Sequence, residues 1–228
     1  ISLRCIEQIK CSLSMMNLPV TILSIGGGLG YADAGPTHYS TEDIACLRSI
    51  VNVEILSPSD GVSAKEFARL CFLNPKLRFI RLERPALENI YKDFKIDDER
   101  SFKVIHDNGP ICVVSYGYML HRAVKFLEKN NLQNTISLID LYKIKPICES
   151  FESQIRKYKK IISYEEHCAY GGFGSAIAEY ITDNKIKVNL KRMHLPEKYF
   201  FQNGGRDFLL DQNDLSSTSL LREISESE

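Results

Sequence analysis

Gly26-Gly27-Gly28-Leu29-Gly30-Tyr31-Ala32-Asp33-Ala34-Gly35-Pro36-Thr37-His38 is the stretch on which the reading of this chain turns. It follows Val20-Thr21-Ile22-Leu23-Ser24-Ile25, a β-branched run with the composition of a buried strand. Glycine tolerates positive φ and lets a backbone come close to another group, so a glycine-rich loop leaving a buried strand is a natural carrier of binding or catalytic groups. A plain turn is the alternative that the local sequence leaves open. Spacing excludes two nucleotide motifs. A dinucleotide fingerprint needs a glycine three residues after its second, where Gly28 is followed by Tyr31. The Walker-like pair Gly30 and Gly35 is followed by Pro36 where a lysine must meet phosphate.

Working outward, Ser40-Thr41-Glu42-Asp43 offers an N-cap and early acidic residues, so a helix is expected over 42–50 with its positive end close to His38. A strand over 53–56, a turn at 58–61, a helix over 64–73 and a strand over 78–82 follow. Upstream, 1–17 reads as an amphipathic helix ended by Asn17-Leu18-Pro19. The second half repeats the alternation, with strands over 111–115, 135–139, 160–164 and 187–190 and helices over 118–128, 149–158, 174–182 and 215–224. Between them, the charged and weakly patterned stretch 91–101 suits an exposed linker. The expected fold class is therefore α/β, with two consecutive domains, 1–95 and 96–228, each a mostly parallel sheet flanked by helices.

The 228 residues suffice for two domains with their own cores, and 44% hydrophobic with 25% charged residues is a soluble globular composition. No apolar run approaches the roughly 20 residues of a membrane-spanning helix, so no membrane partner is expected. Lys plus Arg number 29, as do Asp plus Glu, which leaves no basic field to draw the chain onto nucleic acid. The seven cysteines are scattered without a Cys-x-x-Cys, which favours reduced thiols in a cytoplasmic protein over disulfides or structural zinc. The chain begins at Ile1 rather than at a methionine, which leaves room for an upstream segment.

Gly35-Pro36-Thr37-His38, the helix from Thr41 to Ile50, Asn52 and Ser57-Pro58-Ser59-Asp60 together resemble the pyrimidine-binding domain of the thiamine diphosphate enzymes of the transketolase family, with Val51 in place of a usual proline. In the second half, Glu165-Glu166-His167 followed by Gly171-Gly172-Phe173-Gly174-Ser175 resembles that family's C-terminal domain, as does Ile139-Asp140-Leu141-Tyr142-Lys143-Ile144-Lys145-Pro146. The two resemblances stand in the family's order and cover nearly the whole chain.

The resemblance implies thiamine diphosphate as cofactor, transfer of a two-carbon ketol unit between sugar phosphates, and assembly as a homodimer or heterotetramer. It casts His38 as the catalytic residue beside cofactor and substrate, where an imidazole can exchange a proton near neutral pH. It casts Gly26, Gly28 and Leu29 as cofactor-binding, and Asp33, His38 and Arg84 as substrate-binding. A guanidinium fork suits a sugar phosphate, and strand alternation favours Arg84 over Arg81. The departures are specific. Ala34 stands where the family has an aspartate before Gly-Pro-Thr-His, and no histidine lies around Gly26. The Gly-Asp-Gly element that holds metal and diphosphate is not in the sequence, so Mg²⁺ and a diphosphate-binding domain or subunit are expected from a partner or an upstream region. The glutamate that protonates the pyrimidine ring is expected upstream too, with Glu7 structural. His167 reads as ordering a turn or an interface, and His106, His121 and His194 receive no role. A 1-deoxyxylulose-5-phosphate synthase-like enzyme, a 2-oxoacid dehydrogenase β-subunit-like enzyme and a noncatalytic interaction subunit are the alternatives.

Overall fold

A computed structural model describes residues 2–96 and 100–226. The chain opens with α1 (Ile6–Gln8), which widens into a π-helical turn over Ile9–Ser14, so the expected helix over 1–17 is shorter and irregular. Its N-cap, Cys5, makes no side-chain capping bond. β1 (Thr21–Ile25), α2 (Asp43–Arg48), β2 (Glu54–Leu56), α3 (Gly61–Leu73) and β3 (Arg78–Leu82) then follow close to their expected places. Asp60 caps α3 by accepting from Ser63 N at 2.7 Å, while its second oxygen accepts from Ile90 N and Tyr91 N at 2.9 Å each.

The second half contains β4 (Lys103–His106), β5 (Ile111–Ser115), α4 (Gly117–Lys129), β6 (Ser137–Asp140), β7 (Lys143–Lys145), α5 (Ser150–Ile155), β8 (Lys160–Cys168), α6 (Phe173–Asp183), β9 (Asn189–Leu195), α7 (Gly205–Asp211) and α8 (Ser217–Ser225). Among the described residues the strands form two mostly parallel sheets, in the orders β1-β3-β2-β7 and β4-β6-β5-β8-β9. Helices flank both, as the α/β reading requires.

Three further features depart from expectation. β7, from the second half, completes the first sheet by pairing antiparallel with β2, so the second half is not a wholly separate layer. The largest hydrophobic cluster accordingly runs between the halves, joining Ile22, Ile44 and Phe79 to Ile139, Phe151, Ile161 and Phe173. The stretch read as an exposed linker buries Tyr91 and Phe94 against Phe67 and Tyr142, and Tyr91 donates to Asp140 at 2.7 Å; residues 97–99 of that stretch lie outside the described residues. Its charged residues hid two aromatics that have a buried surface to meet. Finally, α7 and the antiparallel β4 were not anticipated. Among the described residues no helix is long and apolar enough to cross a membrane.

Candidate active site

The glycine loop leaves β1 beside the end of β3, where Gly26 N donates to Leu82 O at 2.9 Å. Gly26 and Gly28 take φ of 88° and 58°, the left-handed region that a side chain resists. A two-bond bridge between Gly28 and Ser40, at 3.0 and 2.9 Å, closes the excursion and fixes where the loop returns. The loop thereby has two faces with different chemistry.

Its inner face lies on a buried cluster of charges. A Cβ on Gly27 would stand 2.3 Å from the Arg81 guanidinium carbon, and one on Gly28 would stand 2.3 Å from the Glu166 carboxyl carbon. Arg81 Nε donates to Asp43 Oδ2 at 2.9 Å with both side chains fully buried, and Arg81 lies 3.9 Å from Glu83. Arg206, from α7, donates through Nε to Glu166 Oε2 at 2.9 Å, pairs again with Glu166 Oε1, and meets Glu83 Oε2 at 2.7 Å. Glu166 Oε2 also accepts the Leu29 N–H at 3.1 Å. Three carboxylates thus face two guanidiniums. Burial raises the Glu166 carboxyl above its ordinary range; Arg206 opposes that shift and Glu83 adds to it.

Next to this cluster, Glu165 accepts the N–H groups of Phe173 and Gly174 at 2.9 and 2.7 Å and so caps α6. Burial nevertheless pushes its carboxyl up to about 8, against the pull of those two N–H groups. His167 is fully buried, with Nε2 3.4 Å from Ala45 N, and burial pushes its imidazole down to about 4. It therefore joins the second half to α2 as a neutral ring, in line with an interface role.

The outer face is open. Asp33 and Arg84 meet at 2.6 Å with side chains 68% and 43% exposed, and the Arg84 guanidinium lies 4.6 Å from the Tyr31 ring centroid. The hydrogen bond from Arg84 is the main reason the Asp33 carboxyl sits below its ordinary range, and His38 contributes to the same shift. His38 is exposed on the short 3₁₀ turn Pro36–His38, its Nδ1 3.0 Å from Thr37 Oγ1. Leu23 and Ile25 of β1, just before the loop, are 61% and 57% exposed.

The structure therefore separates the expected site residues. Asp33, Arg84 and His38 gather on the outer face, whereas Gly28 and Leu29 are buried on the inner one and Gly26 is buried beneath the Tyr31 ring. Arg81 is sealed beneath Gly27 and engaged with Asp43, so of the two candidate arginines only Arg84 is open to solvent. The sequence reading missed Glu83, Glu166 and Arg206 as partners of the loop. Glu165-Glu166-His167 was a visible signal for Glu166; Arg206, following Gly204-Gly205, had none.

These residues fit thiamine diphosphate in one way only. The inner face cannot cradle the diphosphate, because Arg81 and Glu166 fill the space that a methyl on Gly27 or Gly28 would need, and its two guanidiniums are already taken up by three carboxylates. The outer face can form one wall of a site completed from elsewhere. Among the described residues, no group of three or more His, Cys, Asp or Glu is placed to hold a metal ion.

Comparison with known proteins agrees with this architecture. The family model for the transketolase pyrimidine binding domain matches residues 2–89, and that for the transketolase C-terminal domain matches residues 101–214. The chain belongs to the transketolase family. It is 26% identical over 227 residues to an apulose-4-phosphate transketolase subunit of Phocaeicola vulgatus, covering 95% of this chain and 71% of that one. To the 1-deoxy-D-xylulose-5-phosphate synthase of Parasynechococcus marenigrum it is 27% identical over 205 residues, covering 86% of this chain but 31% of that enzyme. A solved split-gene transketolase, described as an inactive beta4 tetramer, superposes with a TM-score of 0.84 at 20% identity, covering 99% of this chain and 71% of its own; this likeness is one of fold.

Proposed function

We propose that this chain supplies the pyrimidine-side wall and the C-terminal domain, 1–95 and 96–228, of a cytoplasmic thiamine diphosphate enzyme that moves a two-carbon ketol unit between sugar phosphates. A diphosphate-binding domain or subunit, carrying Mg²⁺ and the missing glutamate, completes the site in a homodimer or heterotetramer. The observation that carries this reading is the two-faced loop, whose inner side is filled by the chain's own charges and whose outer side is left bare with Asp33, His38 and Arg84 on it. The relatives that are named as subunits of apulose-4-phosphate transketolases favour a two-chain arrangement.

When bound, the cofactor supplies the carbon nucleophile and electron sink for breaking a carbon–carbon bond. His38 gives and takes a proton at a substrate hydroxyl from the loop's outer edge. Arg84 offers its fork to the substrate phosphate, exchanging a solvent-exposed partner, Asp33, for a dianion. Asp33, so released, accepts from a substrate hydroxyl, taking over from the aspartate that Ala34 replaces. Gly26, Gly28 and Leu29 hold the wall against which the cofactor lies.

The test is ketol transfer from a ketose phosphate to an aldehyde, assayed with the chain mixed with a partner that carries the diphosphate motif. His38→Ala is expected to lower turnover by at least ~100-fold, the ordinary weight of a positioned acid–base group, with an unchanged unfolding midpoint. Undiminished turnover in that variant removes His38 from the site. A noncatalytic interaction subunit is the second reading, favoured by Ala34, and absence of turnover with every such partner would select it.

A further inference from the structure

We propose that Arg206 is a positioning residue: from α7 it clamps the glycine loop in shape across the junction of the two halves. Three contacts converge on this one guanidinium. It grips both oxygens of Glu166, meets Glu83 at 2.7 Å, and donates to the backbone carbonyl of Gly27 at 3.3 Å. Its flat face lies 3.8 Å from the Tyr118 ring centroid, so it is held from that side too. Glu166 passes the grip onward, because the oxygen that Arg206 holds at 2.9 Å also accepts the Leu29 N–H, and Gly28 has no Cβ to push that carboxylate away. Loop and helix thus share a single carboxylate.

Removing the guanidinium leaves Glu166 and Glu83 as neighbouring buried acids without a hydrogen-bonded cation between them, and the nearby Arg81, 3.9 Å from Glu83, is already engaged by Asp43. Such a pair takes up a proton or turns toward water, and in either case the acceptor of the Leu29 N–H is weakened or lost. Lysine cannot replace the clamp in full, since one ammonium does not match a carboxylate and a carbonyl with a planar fork. The seat of α7 itself does not depend on Arg206. Asp207 accepts from Tyr118 at 2.7 Å, and Arg122 binds Asp207, Asp211 at 2.6 Å and Leu215 O at 3.2 Å. The effect should therefore fall on the loop rather than on the domain.

Amide hydrogen exchange on the chain alone tests this. In Arg206→Met, the Leu29 amide is expected to exchange at least ~10-fold faster, while amides of β8 (Lys160–Cys168) exchange as in the wild type. Arg206→Lys should fall between the two. Adding Glu166→Gln to Arg206→Met should restore part of the protection, because an uncharged amide oxygen still accepts the Leu29 N–H. Unchanged Leu29 exchange in Arg206→Met overturns the proposal, and so does an equal acceleration across β8, which marks general loss of stability. The consequence for the cofactor rests on the functional reading above: with a diphosphate-binding partner, Arg206→Met should weaken thiamine diphosphate ~10-fold while kcat at saturation falls less. A wild-type chain that binds no cofactor with any partner defeats that reading, and the exchange result still decides the role of Arg206.

Discussion

Replacing Gly28 by alanine tests the packing of the glycine loop against the buried charges, and its cost can be worked from two separate quantities. The first is the backbone. Gly28 has a φ of 58°, where an L side chain costs roughly 1 to 2 kcal/mol. The second is steric. The new methyl would lie 2.3 Å from Glu166 Cδ, and that carboxylate is not a free end, since Arg206 and the Leu29 N–H hold it. Forcing an extra carbon into such packing costs about 1 to 3 kcal/mol, for a sum of ~2 to 5 kcal/mol. Gly35 offers a contrast without the steric term: its φ is 82°, yet an added Cβ meets nothing within 4 Å. Its ψ of −178° places it in a region essentially confined to glycine, so Gly35→Ala should show a backbone cost alone, roughly 1 to 3 kcal/mol. Urea unfolding of both variants reads the difference directly. A loss in Gly28→Ala of no more than about 2 kcal/mol would refute the claim that Gly28 is required by Glu166, because the backbone would then explain it.

Stability should fall as pH rises from about 5 to about 8. Glu165 and Asp140 are raised by burial to about 8 and about 7 from 4.5 and 3.8, so in this window the folded chain holds protons that the unfolded chain has released. His167, lowered to about 4 from 6.5, works the other way below pH 6.5, where only the unfolded chain is protonated. One proton's net difference is then left up to pH 6.5, two from there to pH 7 and one to pH 8, each worth about 1.4 kcal/mol per pH unit at most. Thermal unfolding at pH 5 and pH 8 checks the sign, and Asp140→Asn should flatten the steepest part; a flat or rising profile contradicts it. Arg81→Met should destabilise by about 3 to 5 kcal/mol in denaturant, because it strands the fully buried Asp43 carboxylate, whereas Arg84→Met, at an exposed pair, should cost less than about 1 kcal/mol. Similar losses for the two would mean that Arg81 is not the buried anchor described.

The alternating hydrophobic runs made the α/β architecture legible, since buried parallel strands need continuous β-branched segments and leave a strong local signal, as in Val20 to Ile25 and Ile111 to Ser115. β7 escaped because three residues, Lys-Ile-Lys, carry no periodicity, and its place in the first sheet is set by tertiary pairing with β2. Tyr91 and Phe94 were obscured by charged neighbours that stay at the surface while the rings turn inward. The residues of the outer face could be picked out because Gly-Pro-Thr-His and Arg84 are contiguous with recognisable motifs. The inner face could not, because Arg206 lies 40 residues from Glu166 and 179 from Gly27, and nothing local announces a buried ion pair. For two of the loop's glycines the structure supplies a packing reason: Gly27 and Gly28 make room for Arg81 and Glu166.

Calorimetric titration of thiamine diphosphate with Mg²⁺ into this chain, alone and then mixed with a partner carrying the diphosphate motif, tests the half-site claim most directly. The account predicts no saturable binding by the chain alone and saturable binding in the mixture, weakened by His38→Ala less than turnover is. Tight binding of the cofactor by the chain alone would contradict it.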